Sequence, residues 1–115
     1  MATNPIARAE EYYKLFGEKN AEGLQNYLHP DVEIQGPRES LKGKETVIEA
    51  AKGFMNVFKS LTIRAKFGSG DQAVIFYDIA FPGTAKGLSA AALLSFRDGL
   101  IVKNELFYDC SPFDE

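Results

Sequence analysis

The chain has 115 residues, a length that suits one domain, and we expect residues 1–115 to form it. The formal net charge is −3 and the 13 Lys and Arg residues are dispersed, which argues against a nucleic-acid partner. No apolar run reaches the length of a membrane span, and the first residues lack the apolar region of a signal peptide. We therefore expect a cytoplasmic protein that binds neither a membrane nor a nucleic acid.

Helical signals fill the first half of the chain. Asn4-Pro5 is typical of a helix start, and apolar residues at helical spacing then run to Gly17. Asn20 can cap a second, short helix, which His29-Pro30-Asp31 ends because the residue before a proline avoids the helical region. A third helix follows Lys42-Gly43. Its apolar face comprises Val47, Ala51, Phe54, Met55 and Phe58.

The hydrophobic period changes to two at Leu61, which predicts strands from there on. An earlier short strand over residues 32–35 is broken by Gly36-Pro37. The later strands are predicted over residues 61–67, 73–81, 88–96 and 100–108, and Asp98-Gly99 favours a type I′ turn between the last two. Helices that come early and a meander that comes late predict an α+β fold.

Six short segments, taken in their order and spacing, resemble the superfamily that holds nuclear transport factor 2, ketosteroid isomerase and the SnoaL-like polyketide cyclases. They span residues 12–16 (YYKLF), 20–24 (NAEGL), 28–32 (LHPDV), 36–37 (GP), 41–45 (LKGKE) and 96–102 (FRDGLIV). The resemblance implies a cone-shaped, curved antiparallel sheet wrapped against three N-terminal helices around a cavity. Members of this superfamily include isomerases, hydrolases, dehydratases, cyclases and non-catalytic binding modules, so the resemblance does not name the function.

Ketosteroid isomerase chemistry needs a carboxylate base, together with a tyrosine and a protonated carboxylic acid that stabilise the oxyanion. The resemblance places the tyrosine at Tyr12, which could also be a core tyrosine whose hydroxyl is satisfied. It places the base at Gly36 and the second acid near Ala92 or Leu93, and none of these side chains can move a proton. Ordinary ketosteroid isomerase chemistry is therefore not expected.

Asp78 is the candidate substitute for the missing base, because it interrupts the most apolar strand of the chain. Alternation counted from Asp71 turns Phe76, Asp78 and Ala80 toward the cavity, where an apolar setting would suit a carboxyl to acid–base work. Asp78 could instead face solvent or pair with Arg64. The predicted catalytic pair is thus Asp78 and Tyr12.

On the last strand the same alternation turns Asn104 and Tyr108 inward, with Val102 and Leu106. Asn104 is a candidate amide to orient a ligand, unless it is a surface residue between its charged neighbours. The predicted ligand-binding residues are Phe16, Phe54, Phe58, Phe76, Asn104 and Tyr108.

Metal and cofactor signatures are not expected to play a part. His29 is the one histidine of the sequence and gives no cluster at metal-ligand spacing, so we interpret it as a local turn residue. Cys110 is the one cysteine, cannot form an internal disulfide and is interpreted as an ordinary thiol. No phosphate loop or cofactor motif occurs, so we expect neither a metal nor a cofactor.

Three functions stay open. The favoured one is binding of a small, largely apolar molecule in the cone cavity without the usual base. The second is a cofactor-free isomerase, cyclase or hydrolase-type enzyme that uses Asp78 as acid or base with Tyr12. The third is a protein-interaction module, which rests on fold analogy alone.

The expected partner, besides the ligand, is a second copy of the chain bound through the outer sheet face. A strand that is apolar on both faces leaves an outer patch larger than monomers usually expose, and a twofold partner would cover it. The residues predicted to face outward are Ile75, Tyr77, Ile79, Phe81, Ala91, Leu93, Ile101 and Phe107.

Overall fold

A computed structural model describes residues 4–37, 39–83 and 87–108 of the chain. Its helices are α1 (Pro5–Gly17), α2 (Ala21–Leu24) and α3 (Lys44–Met55), and a 3₁₀ turn spans Gln25–Tyr27. Its strands are β1 (Leu28–Gln35), β2 (Ser40–Lys42), β3 (Ser60–Ser69), β4 (Gln72–Ala80), β5 (Gly87–Arg97) and β6 (Leu100–Tyr108). The three helices and the late meander are confirmed, and β2 is a strand that the sequence pattern did not predict.

The start of α1 follows directly from the sequence. The side-chain oxygen of Asn4 accepts a hydrogen bond of 2.9 Å from the backbone N–H of Ile6, so it caps the helix. Pro5 occupies the first helical position, where no backbone N–H is needed. The helix then buries Tyr12 and Tyr13 on the side that faces the sheet.

The six strands form one curved, unclosed sheet in the order β2-β1-β6-β5-β4-β3. Strands β3 to β6 are joined in sequence as antiparallel neighbours, and β1 lies parallel to β6. The predicted α+β class is therefore confirmed. Since α1 contacts β3 and β4 while α3 contacts β1 and β2, the two longer helices cover one face of the sheet.

The turn between β5 and β6 has the predicted geometry. Asp98 and Gly99 both have positive φ, 55° and 80°, as a type I′ hairpin requires. This turn sets β6 against β5 with Asn104 opposite Leu94 and Leu106 opposite Ala92. The hairpin thus fixes which side chains of β6 reach the covered face of the sheet.

Strand β1 begins earlier than predicted, at Leu28 rather than at residue 32. Pro30 lies inside it, at a point where the pairing with β6 shifts register between Leu28 and Glu33. His29 therefore lies in a strand rather than in a turn, and its ring nitrogen accepts a hydrogen bond of 3.0 Å from the backbone N–H of Asp31.

The predicted orientation of β4 is wrong. Ile75, Tyr77 and Ile79 are buried on the covered face, together with Ala73, whereas Phe76 and Asp78 lie on the opposite, outer face. The strand is apolar at most positions of both faces, so its hydrophobic pattern does not select a face, and a slip of one residue reverses every side chain. Ile101 of β6 was also predicted to face outward and is fully buried.

Candidate functional site

A cavity of about 390 Å³ lies between the covered face of the sheet and helices α1 and α3. Its size falls within the range that small-molecule sites usually have. The lining residues are Tyr12, Tyr13, Phe16, Ile34, Glu39, Leu41, Val47, Ala50, Ala51, Phe54, Leu61, Tyr77, Ile79, Leu88, Asn104, Leu106 and Tyr108.

The cavity has an exposed side and a buried side. Glu39 and Ala50 are the exposed residues of the lining, so the cavity meets solvent between β2 and α3. Tyr12, Tyr77 and Asn104 are almost fully buried and form part of its inner wall. A molecule that enters between β2 and α3 would reach these polar groups last.

Five of the predicted site residues meet in this lining, namely Tyr12, Phe16, Phe54, Asn104 and Tyr108. They come from α1, α3 and β6, which are far apart in sequence. The alternation predicted for β6 therefore places Asn104 and Tyr108 correctly on the covered face.

Phe58 lies in the core rather than in the lining. It is 1% exposed, and its ring centroid lies 5.8 Å from that of Phe16 and 5.3 Å from that of Phe54. Phe58 was predicted to be a ligand-binding residue of the cavity, and it is not among the residues that line the cavity, whereas Phe16 and Phe54 are. Its role is to support those two rings.

Phe76 and Asp78 lie outside the cavity, contrary to prediction. Phe76 is 40% exposed and packs edge-on against Phe67 on the outer face. Asp78 is half-exposed and accepts a hydrogen bond of 2.7 Å from the Ser89 hydroxyl, with the Arg64 guanidinium 3.6 Å away. The pairing with Arg64 is the alternative that the sequence left open, and from this position Asp78 cannot touch a molecule in the cavity.

Tyr12 faces the cavity with its ring buried to 2% exposure. Burial raises the pKa of its phenol far above the usual value, so the hydroxyl stays neutral at physiological pH. It makes no hydrogen bond to another residue of the described ranges. The Tyr12 hydroxyl is therefore a neutral group that a ligand can use.

A second hydroxyl belongs to Tyr13, which the amide of Asn104 contacts directly. Asn104 Nδ2 donates to the Tyr13 hydroxyl oxygen at 2.9 Å, and the Tyr77 hydroxyl is a second hydrogen-bond partner of Tyr13. Burial raises the pKa of Tyr13 to about 12, while these two hydrogen bonds lower it in part. Burial likewise raises the pKa of Tyr77 well above 10, so both phenols are neutral.

Only part of this network was predictable from the sequence. Tyr13 was recognised as part of the apolar face of α1 but not as a site residue. Tyr77 was assigned to the outer face through the slip in β4. Had the buried positions of β4 been known, Tyr77 would have been a candidate site residue beside Tyr12.

The other oxygen of the Asn104 side chain has no partner. Asn104 is 3% exposed, and its Oδ1 is buried without a hydrogen-bond donor among the described residues. Buried amide oxygens are nearly always hydrogen-bonded, so an acceptor left unmatched in a cavity wall marks a position where a ligand can donate.

Glu39 is the one carboxylate that the described residues bring to the lining, and sequence reasoning missed it. The Gly36 N–H donates to the Glu39 carbonyl oxygen at 2.8 Å, which closes the turn between β1 and β2. No hydrophobic pattern marks this segment, because β2 is only three residues long. Without that strand the sequence offered no way to bring Glu39 beside the cavity.

Two further properties of the described residues bear on function. Within residues 4–37, 39–83 and 87–108, no group of three or more His, Cys, Asp or Glu side chains is placed to hold a metal ion. Over the same ranges, no helix combines the length and the apolar character needed to cross a membrane. Cys110 lies outside the described residues.

Comparison with known proteins establishes the family. A model of the SnoaL-like domain matches residues 9–104, most of the chain. The chain belongs to the SnoaL-like domain family. No curated protein sequence matches it. The resemblance inferred from the six short segments is thereby confirmed.

Solved structures place this SnoaL-like domain in the nuclear transport factor 2-like fold. An NTF2-like protein of unknown function from Cytophaga hutchinsonii superposes with a TM-score of 0.86 at 20% identity, covering 100% of this chain and 98% of that one. A steroid delta-isomerase from Pseudomonas aeruginosa gives 0.80 at 21% identity, covering 97% and 84%.

A de novo designed protein with a curved β-sheet matches as well as the natural ones, with a TM-score of 0.85 at 20% identity and coverage of 99% and 92%. Identities this low show a common fold and carry no function with them. What the SnoaL-like domain does must therefore be argued from its own cavity.

Proposed function

We propose that this SnoaL-like domain binds a small, largely apolar molecule in its cavity, and that it does so without the acid–base pair of a ketosteroid isomerase. The observation that supports the proposal is the cavity of about 390 Å³, which aliphatic and aromatic side chains line almost throughout. Apolar surface removed from water contributes roughly 25 cal/mol per Å², so a ligand of matching shape gains affinity from contact area alone.

The aromatic residues of the lining make the site rigid as well as apolar. Phe16 and Phe54 have ring centroids 6.1 Å apart and are held from behind by Phe58. Because these rings are fixed by packing before any ligand arrives, little conformational entropy is lost on binding. A planar or cyclic hydrophobic molecule fits such a wall best.

Proton transfer has less support than binding. Asp78 lies on the outer face, Gly36 has no side chain, and Ala92 is a fully buried core residue. Among the described residues, the carboxylate that an enzyme of the isomerase, cyclase or hydrolase type could use in the lining is Glu39, which is exposed at the opening. A protein-interaction function would use the outer face of the sheet instead.

The test is to close the opening and measure binding of an environment-sensitive hydrophobic fluorophore. In Ala50→Trp a large ring replaces an exposed methyl group of the lining, and we expect affinity to fall by about tenfold or more, about 1.4 kcal/mol. Glu49→Trp is the matched control, because Glu49 is the neighbouring exposed residue of α3 and lies outside the lining.

Asp78→Asn in the same assay should bind like the unmodified protein, because Asp78 lies on the other side of the sheet. Equal binding by the unmodified protein and Ala50→Trp would place the fluorophore outside the cavity. That result would contradict the proposed function.

A further inference from the structure

We propose that the cavity selects neutral molecules whose buried end carries a hydroxyl group, an alcohol or a phenol, that donates to Asn104 Oδ1. This inference rests on the proposed function and names the chemical class of its ligand. It predicts which apolar molecules bind well and which bind poorly.

The group that would receive the ligand hydroxyl is Asn104 Oδ1. The amide is anchored from its other end, where Nδ2 donates to Tyr13 at 2.9 Å, and this bond fixes the side-chain orientation. Oδ1 is then a buried atom of a residue that lines the cavity, and it has no donor among the residues at 4–37, 39–83 and 87–108. A ligand that brings an O–H to this atom supplies the hydrogen bond that the fold leaves unmade.

Tyr13 holds this amide in place. Its hydroxyl oxygen accepts from Asn104 Nδ2 at 2.9 Å, and the Tyr77 hydroxyl is a second hydrogen-bond partner of the same phenol. Asn104 Oδ1 is thus the unmatched group of this buried network.

A hydroxyl group can satisfy this atom, because its O–H donates to Asn104 Oδ1. A ketone, an ether or a hydrocarbon has no such proton to donate and leaves Oδ1 unmatched. This ranks ligands of one ring skeleton by their polar end alone.

Charged ends are disfavoured at the same place. Among the described residues, the lining contains no Lys or Arg, and the one carboxylate they bring to it, Glu39, lies at the exposed opening. The neighbouring phenols remain neutral because burial raises their pKa values. A carboxylate or ammonium group at the inner wall would lose its water without gaining an ionic partner.

The test is calorimetric titration at neutral pH with naphthol, its methyl ether and naphthalene, which share one ring system. For the unmodified protein we expect naphthol to bind about tenfold or more tightly than the other two. Asn104→Leu keeps the approximate side-chain volume but removes the acceptor. In this variant the three probes should bind with about equal affinity. Glu105→Gln is the control, since Glu105 lies next in β6 on the opposite face of the sheet.

The outcomes separate this inference from the proposed function. If all three probes bind with equal affinity, the hydroxyl selection is overturned while binding in the cavity stands. If none binds, the proposed function itself fails. A preference for naphthol that persists in Asn104→Leu also overturns the inference, and if that variant does not fold, the ranking with the unmodified protein and with Tyr13→Phe decides.

Discussion

Tyr12, Tyr13 and Tyr77 bring three phenol groups to the wall of the cavity. Each ring adds apolar contact area, and each hydroxyl adds a single directed hydrogen bond, which is what a site for a largely apolar molecule with one polar end requires. Because burial raises the pKa values of all three, the wall offers hydrogen bonds without charge.

These raised pKa values predict how stability changes in alkali. The pKa of Tyr13 is about 12 in the folded protein, so between its unfolded value of 10 and that point only the unfolded chain loses the proton. The contribution of the buried phenol to the free energy of unfolding is therefore complete below pH 10. As pH rises above 10, the free energy of unfolding falls by about 1.4 kcal/mol per pH unit for each such tyrosine. Denaturant unfolding measured across this range should show that loss.

Tyr13→Phe should lose stability less steeply with pH, since one of the three buried phenols is removed. The absorbance of tyrosinate checks the same point in the folded protein. If all five tyrosines of the chain ionised near pH 10 while the protein stayed folded, the burial of these hydroxyls would be contradicted.

At the scale of helices and strands, turn geometry determines most clearly how the strands pair. Gly99 has φ of 80° in the hairpin that sets the position of Asn104 in β6. Gly99→Ala should lower the free energy of unfolding by about 1–2 kcal/mol, because a residue with a side chain is strained at this φ. Gly53 is the matched control. It lies in α3 where an added Cβ meets nothing within 4 Å, so Gly53→Ala should stabilise by about 0.4–1 kcal/mol.

Denaturant midpoints of the two variants measure both effects. Equal shifts of the two midpoints in the same direction would contradict the assigned turn, because only Gly99 is expected to need a backbone conformation that alanine disfavours.

The elements themselves were largely predictable from the sequence, because each is bounded by a residue with a specific backbone preference. Asn4 starts α1, Asp98-Gly99 joins β5 to β6, and the change of period at Leu61 marks where strands begin. Strand β2 was not predictable, since three residues carry no measurable period.

The site was predictable only where one face of an element is plainly polar or apolar. The alternation assumed for β6 turned Asn104 inward, between the charged residues Lys103 and Glu105, and the structure buries it. In β4 the apolar residues occupy both faces, so nothing in the pattern chose between Asp78 and Tyr77 for the cavity. The choice is made by Ser89 and Arg64, which lie on the outer face and give the Asp78 carboxylate its partners.

For the whole molecule, the corrected orientation of β4 changes the outer surface but keeps it apolar. The outer apolar face consists of Phe67, Val74, Phe76, Leu93 and Phe107, which adjacent pairing of β3 to β6 places on one side. Phe67 is 60% exposed and Phe107 55% exposed, so large rings meet solvent across this face. Apolar patches of this kind mark interaction surfaces.

We propose that a second copy of the chain covers the outer apolar face. The face also carries Arg64 with Asp78 and Lys103 with Glu105, so a twofold partner can set opposite charges against each other. Phe76→Asp should therefore shift light-scattering mass from dimer to monomer. Val57→Asp is the control, because Val57 is 52% exposed and lies outside the sheet. A monomer mass for the unmodified protein would contradict the proposal.

The central claim, that a small apolar molecule binds inside the cavity rather than on the outer apolar face, is tested most directly by an NMR titration with naphthol. We predict chemical-shift changes at the Asn104 side-chain amide and at Phe16 and Phe54, which line the cavity. The resonances of Phe67 and Phe107, which lie on the outer face, should stay unchanged. Shift changes confined to those outer residues, with the Asn104 amide unmoved at saturation, would contradict the account.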